Sequence, residues 1–471
     1  MAEMPLKREI VEELLRENPR AVVDLVLQQA QLILEQRQLI EKQQAAIVAL
    51  EKRVEQLEEA LRQSGGGPGA APFRIEPHKR KGAPKRPGRA SGHAGQYRVA
   101  PQEIDETIEV ALEECPHCGE RIRESHPIKQ TIIELPAVRP IVVRLITHRG
   151  RCSNCGREVQ SKHPLQVSHA VGAAGTQLGP RALAVAGSLR HEVGLTLRSC
   201  CRVMDKLFGL RVSAGGLSQG LDRLARRLKS SYETLIEQVR AGPVVHSDET
   251  SWWLENDRSQ LWVFATKQET VYRVVKHRDR ATFHQIIPPD YKGVVVSDCL
   301  SIYDDATQLQ QKCYAHHLKA IGAAKKTRNT PSPWLKQVED LLKSAMRLAK
   351  ERASMDLAQW QVRLNALRVA ARVILEETPR PCVHEEAVRV RLWKQRDHLF
   401  VFLEHPGVDA TNNLAERQLR PAVIRRKLSC GNRSQRGAQT FQILTSLAAT
   451  CRQRGEDFLE TAINGARLQT T

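Results

Sequence analysis

The sequence predicts a multidomain α+β protein, and three observations carry that prediction. A heptad of apolar residues runs through the N-terminal region, a doubled CxxC pair follows, and short β-rich runs cluster between helix-period segments further on. At roughly 100 to 200 residues per domain, a chain of 471 residues is long enough for about three domains and a sizeable core.

The heptad places Val26, Ile33, Ile40, Ile47, Val54 and Leu61 at one position, with Leu50 and Leu57 at d in the last two repeats. β-Branched residues at a with Leu at d favour a parallel two-stranded coiled coil over a lone amphipathic helix. The upstream d positions are Gln29, Gln36 and Gln43, with Leu32 and Leu39 at g, so the seam is imperfect there. Residues 64–72 read SGGGPGAAP, a flexible linker that buries nothing. After it, residues 74–98 set Arg74, Lys79, Arg80, Lys81, Lys85, Arg86, Arg89 and Arg98 against a single acid, Glu76. With Gly and Pro interspersed this stretch is a poor helix and a good phosphate-tracking tail, the plainer alternative being a solvated spacer.

Cys115-Pro-His-Cys118-Gly and Cys152-Ser-Asn-Cys155-Gly form two Gly-terminated knuckles. Each turn aims two thiolates at one ion, and four thiolates close a tetrahedral shell, which makes Zn²⁺ the expected ion and a structural role the expected use. The intervening ELPAVRPIVVRLITHRG reads as a strand pair, completing a zinc ribbon. The other cysteines, of eleven in all, are scattered, a pattern that suits a reducing cytosol better than a disulfide framework.

Residues 178–240 are helical by period, with Leu183, Ala186, Leu189 and then Leu217, Leu221, Leu224 and Leu228 on apolar faces. LFGLRVSAGGLSQ supplies a turn between two of these helices and a Ser213 cap, which fits either a helix-turn-helix or an ordinary helical hairpin. From Gly242, PVVHSDET, QLWVFATK and TVYRVVKH are three strands, followed by a helical link near 278–287 and a further strand, GVVVSDC. All six tryptophans fall between Trp252 and Trp393, where the largest core is expected.

Strand alternation puts Val244, His246 and Asp248 on one face, and Val294, Val296 and Asp298 on one face. If the strands are neighbours, the two carboxylates stand side by side, and such a pair repels unless it shares a hard cation such as magnesium or manganese. Glu416, in DATNNLAERQLRP, lies one turn inside a helix opened by Thr411, Asn412 or Asn413. With Asn413 as cap, Glu416 would instead close a capping box. Taken singly, each acid also has a structural reading as a turn residue or salt-bridge partner. From Arg417 to Gly455 there are nine Lys and Arg residues and no carboxylate. Of these Arg420, one turn from Glu416, with Arg425, Arg426 and Lys427, makes a cation row suited to a nucleic-acid backbone.

DATNNLAERQLRP, HSDET, VVVSD, CYAHHLK and SLAATCRQRGED together resemble the transposases of the insertion-sequence sixty-six family (TnpC type), nearly from end to end. The resemblance implies a ribonuclease-H-like α/β core with a long helical insertion between the second and third acids. It implies that Asp248, Asp298 and Glu416 are the catalytic triad, holding Mg²⁺ or Mn²⁺ for DNA cleavage and strand transfer, and that small accessory proteins accompany the enzyme. The sequence departs from the family where Cys299 and Leu300, with Tyr303 later, stand in place of a Gly and an aromatic, and where KLSCGNRSQRG is less aromatic than usual. His316 falls in the context Cys313-Tyr-Ala-His316, where packing or phosphate contact is favoured over zinc.

The layout expected is a helix and coiled coil (1–63), basic linker (64–100), zinc ribbon (101–165), helical and DNA-binding region (166–241), catalytic core with a helical insertion at about 316–400 (242–430), and a basic C-terminal helical segment (431–471). Lys79, Arg80, Lys81, Lys85, Arg86 and Arg89 join the residues after Glu416 as DNA contacts. A formal charge of +19 favours double-stranded DNA as partner, and the coil favours at least a dimer. The sequence has neither an apolar run of membrane-spanning length nor a signal-peptide pattern, so a cytoplasmic, nucleoid-associated protein is expected. The rival classes are a non-catalytic DNA-binding regulator and a metal-dependent nuclease that does not join ends.

Overall fold

The computed structural model describes scattered positions between residues 12 and 44 and, from 101 to 467, all but 124–125, 171–174, 305, 328–329, 377–379 and 381. The chain divides into two units, Met1–Glu103 and Ile104–Thr471. In the first unit the described positions from 19 to 44 are helical. There Val26, Ile33 and Ile40 stand exposed, as do Leu27, Leu32 and Leu34. The heptad from Ile47 to Leu61 and the basic linker, with Lys79, Arg80, Lys81, Lys85, Arg86 and Arg89, lie outside the described residues.

The second unit opens with the cysteine segment. Strands β1 (Arg149–Arg151) and β2 (Glu158–Gln160) pair antiparallel around the second knuckle, and an isolated bridge, Glu114 with Arg121, frames the first. The strand pair expected within ELPAVRPIVVRLITHRG is not formed: residues 134–148 have no ladder partners, and the first strand begins only at Arg149. Pro136 and Pro140 each remove a backbone donor there, which accounts for the late start.

Four helices follow: α1 (Pro180–His191), α2 (Leu197–Phe208), α3 (Ala214–Arg227) and α4 (Lys229–Ala241). α2 stops at Gly209, whose φ of 64° is the left-handed cap, and Ser213 caps α3 by accepting from the Gly216 N–H at 3.0 Å. Gly220 lets α3 approach α1 closely, since a Cβ there would sit 2.9 Å from Leu183 Cδ1. Leu217, Leu221 and Leu224 are buried in that contact, so α3 is built into the core along this face.

Strands β3 (Val244–Leu254), β4 (Asp257–Ala265), β5 (Thr270–Val275), β6 (Val294–Ser297) and β7 (Gln310–Lys312), with the short α5 (Arg280–His284) between β5 and β6, make a mixed sheet of order β5-β4-β3-β6-β7. β3, β4 and β5 are an antiparallel meander; β6 and β7 run parallel to β3 and β6 respectively. The β3–β4 hairpin turns on Glu255 and Asn256, both at positive φ, as a two-residue turn demands. β7 was not foreseen, because Gln-Gln-Lys has no strand-like composition and earns its place by pairing alone.

Between β7 and the Glu416 helix lie α6 (Tyr314–Lys326), α7 (Pro333–Glu351), α8 (Leu357–Glu376), α9 (Val383–Lys394) and α10 (Val401–Glu404). They enclose their own core of Trp334, Leu335, Leu342, Trp360 and Leu392, which meets the sheet at Val294 and Val296. The largest buried cluster is elsewhere: it joins Leu183, Leu217, Val245, Trp262 and Phe264 to Leu444, Leu447 and Phe458. The tryptophans marked the insertion and sheet, but this core is built mainly of aliphatic residues and small alanines that composition does not single out.

The chain ends in α11 (Asn413–Ser429), α12 (Gln435–Arg454) and α13 (Phe458–Ala466). Within the C-terminal segment, α12 is buried from Phe441 to Cys451. Its side chains seal the sheet edge: Thr450 Oγ1, Ser446 Oγ and Gln442 Oε1 accept from the backbone N–H groups of Thr270, Tyr272 and Val274 at 3.0, 2.8 and 3.1 Å. A helix with polar residues every four positions thus satisfies an edge strand's outward donors, which repeat every two. Among the described residues no helix is long and apolar enough to cross a membrane.

Candidate active site

Two parallel strands place the first two acids. The β3–β6 register pairs Val244 with Val294, Val245 with Val295 and His246 with Val296, so Asp248 lies two residues past the last pair on β3 and Asp298 directly after the end of β6, near enough for its charge to act on Asp248. Asp298 leaves the sheet at once, its Oδ1 accepting from the Leu300 N–H at 3.0 Å, and a 3₁₀ turn at Ser301–Tyr303 follows. The turn folds Tyr303 inward, where it is fully buried.

Asn412 brings in the third acid. It is fully buried at the entry of α11. Its Nδ2 donates to Ser247 O on β3 at 2.8 Å, its Oδ1 lies 3.3 Å from His246 Nδ1, and its backbone N–H donates to Cys313 Sγ at 3.2 Å. One residue therefore ties the start of α11 to β3 through its side-chain amide and to the start of α6 through its backbone N–H. No capping box forms, because the cap position is Asn412, whose side chain is spent on β3, and Glu416 lies in the first turn, its N–H bonded to Asn412 O. His246, held by Asn412, has a pKa lowered by burial.

The acids act on one another. Burial first, then the charge of Glu249, then those of Asp298 and Glu416 push the Asp248 carboxyl up to about 7, against a hydrogen bond from the Glu249 N–H that works the other way. Glu249 is the buried neighbour on the opposite face of β3; Arg278 Nε donates to it at 2.9 Å and the Tyr303 hydroxyl also donates to it. On β7, Lys312 is wholly buried with its ammonium 3.7 Å from Asp304 Oδ1 and 3.5 Å from Ser297 Oγ, one residue before Asp298. Neither Asn412 nor Lys312 was singled out from sequence as part of the site; the doubled Asn before LAER was the available signal for the first, and nothing marked the second.

The residues 175–440 match the family model described as Transposase IS66 family. The chain belongs to that family. A more distant relative, the uncharacterized protein y4qI of Sinorhizobium fredii (strain NBRC 101917 / NGR234), is 22% identical over 295 residues, covering 54% of this chain and 52% of the relative. The chain thus spans about half the length of that curated relative.

The cations that this IS66-family chain carries after Glu416 separate into two groups. Arg417, Arg420, Lys427 and Arg433 are exposed. Arg425, expected among the DNA contacts, is buried instead: it donates to Arg190 O, lies 3.3 Å from Thr445 Oγ1 and stacks on Phe441 at 5.1 Å. It faces the core because it falls on the same stripe of α11 as Gln418 and Ala422. Arg426 bonds Thr250 Oγ1 at 2.7 Å and Ser251 Oγ at 2.6 Å on β3. Arg436 and Arg454 are paired with Asp222 and Glu269.

Each cysteine knuckle is built. Gly119 and Gly156 take positive φ, and their N–H groups donate to Cys115 O and Cys152 O, each at 2.9 Å. Backbone N–H groups within the turns lower the pKa of Cys115, through His117 and Cys118, and of Cys152, through Cys155 and Asn154. The four thiols are not drawn into one cluster. Among the described residues, the set of three or more candidate ligands with all donor atoms within 4.8 Å of one another is Cys313, His316 and Glu416. His316, expected to pack or to meet phosphate, therefore stands beside the third acid.

Proposed function

We propose that this protein is a DNA transposase that cleaves the ends of its element and joins them to target DNA, with Asp248, Asp298 and Glu416 as the catalytic acids of a ribonuclease-H-like core. The parallel β3–β6 register beside a helix tethered by Asn412 is the observation that supports this reading, because the charges of Asp298 and Glu416, far apart in sequence, both act on Asp248. A meander of three antiparallel strands extended by two parallel ones, interrupted by a helical insertion, supports the assignment of the core.

The donor set fits divalent ions. The carboxyl of Asp248 is held up to about 7 by burial first and then by neighbouring carboxylates, a cost that a hard cation would relieve, and all three side chains offer oxygen, the ligand of magnesium and manganese. Bound by these acids, such ions supply charge neutralisation at the phosphate and a more acidic attacking water or hydroxyl. The remaining work falls to the chain. Lys312 fixes the end of the strand that leads into Asp298, Arg278 and Tyr303 hold Glu249 away from the reacting face, and Asn412 fixes the approach of Glu416. Arg417, Arg420, Lys427 and Arg433 offer exposed cations along which a phosphodiester backbone can lie in line with the acids.

Around this core, a structural Zn²⁺ would draw the thiols of the two knuckles, Cys115, Cys118, Cys152 and Cys155, into one shell that they do not form by themselves, the N-terminal coil would pair two copies, and the basic linker would track DNA. The test is strand transfer on end-containing DNA with magnesium. Wild type is expected to yield joined product, and Asp298→Asn to bind DNA normally and yield none. Tight, magnesium-independent binding with no product from wild type would favour a DNA-binding regulator, and cleavage without joining a nuclease.

A further inference from the structure

The Cys313–His316–Glu416 cluster has a chemistry of its own. Cys313 is the cap residue of α6 and His316 follows it by three, a spacing that turns thiol and imidazole to one side of the helix. Cys313 is fully buried and tied to α11 by the Asn412 N–H, so its sulfur is fixed relative to Glu416. His316 Nδ1 is buried and has no hydrogen-bond partner. A buried ring nitrogen without a partner costs free energy, and such an atom marks a missing ligand or ion. Sulfur, nitrogen and carboxylate oxygen together are the donors of a zinc-class ion, whereas magnesium takes oxygen.

We propose that Cys313, His316 and Glu416 form a second cation site, specific for a zinc-class divalent ion, which shares Glu416 with the Asp248–Asp298 pair. Three protein donors leave a fourth position open for water. Binding forms the metal–sulfur bond as the Cys313 thiol releases its proton to solvent, with no change of oxidation state. Because one carboxylate serves two sites, zinc at the second site draws Glu416 from the first and antagonises magnesium. The binding claim is independent of catalysis; only the antagonism rests on the function proposed above.

The experiment uses the full chain, saturated with Zn²⁺ at its CxxC knuckles and kept in excess Mg²⁺, titrated with Co²⁺. Wild type is expected to develop a thiolate-to-cobalt charge-transfer band in the near ultraviolet. Cys313→Ser should lose that increment, and His316→Ala should weaken cobalt binding by about tenfold or more, with circular dichroism and melting unchanged. If Cys313→Ser does not fold, His316→Gln carries the same comparison. Superimposable titrations of wild type and variants overturn the site. In a parallel assay, Zn²⁺ should inhibit magnesium-dependent strand transfer by wild type. Cobalt binding that depends on Cys313 and His316, with no zinc inhibition of wild type, upholds the site and overturns the shared use of Glu416.

Discussion

Replacing Asp248 by Asn should make the metal-free protein more stable while abolishing its activity. The folded-state pKa of Asp248 is about 7, against an ordinary value of 3.8, a rise of about three units. At about 1.4 kcal/mol per unit, the ionised side chain opposes folding by about 4 kcal/mol at pH 8, and partial exposure to solvent reduces this to about 2 kcal/mol. A raised pKa means that folding takes up a proton between the two values. The stability associated with this group is therefore complete below pH 3.8 and lost as pH rises through about 7. Asn keeps the oxygen that accepts from the Glu249 N–H and carries no charge at any pH. Urea denaturation followed by fluorescence of the buried Trp252 and Trp262 should show wild type and variant equal near pH 4, and the variant more stable by about 2 kcal/mol at pH 8. Magnesium should close that gap by stabilising wild type alone. A variant less stable than wild type at pH 8, or a difference that does not change with pH, would refute the electrostatic account of this site.

Other substitutions separate surface from core. Arg420→Ala should lower the slope of log affinity for DNA against log salt by about one, while Arg425→Ala should leave the slope unchanged and cost about 3 kcal/mol in stability, read by filter binding and denaturation. Gly431 sits at φ +133° with the position of a Cβ only 2.2 Å from Trp253 O, so Gly431→Ala should destabilise by at least about 2 kcal/mol, and an unchanged melt would contradict the geometry. Stripping zinc with a chelator should raise protease sensitivity between residues 104 and 160 and leave the sheet protected. Protein that carries no stoichiometric zinc, or cleavage unaffected by chelation, would remove the structural ion.

Much of the site was legible because short local patterns encode it. Period-two alternation in PVVHSDET and GVVVSDC put Asp248 and Asp298 at comparable depths in strands that do turn out to be parallel neighbours. What local pattern does not encode is partnership at a distance. Arg425 and Arg420 look alike in a sequence, and only the placement of α11 on the sheet turns one inward, to reach Arg190 of α1 and Thr445 of α12. Lys312 has the same difficulty: a lysine in a Gln-Gln-Lys run signals solvent, yet a parallel neighbour strand and Asp304 enclose it. The segment of Pro136 and Pro140 between the knuckles shows the reverse case, where apolar composition predicts strands and each proline lacks the backbone donor that a ladder needs.

The sealing of β5 by α12 also sets an order of events during synthesis. Thr270, Tyr272 and Val274 find their acceptors on residues 168 to 180 positions further along the chain. While a ribosome is still translating the helical insertion, the edge of the sheet is open, and the surface that α12 will occupy is uncovered. Maturation of the site is therefore tied to late translation, and a nascent chain halted before residue 442 carries all three acids without the helix that closes the sheet beside them.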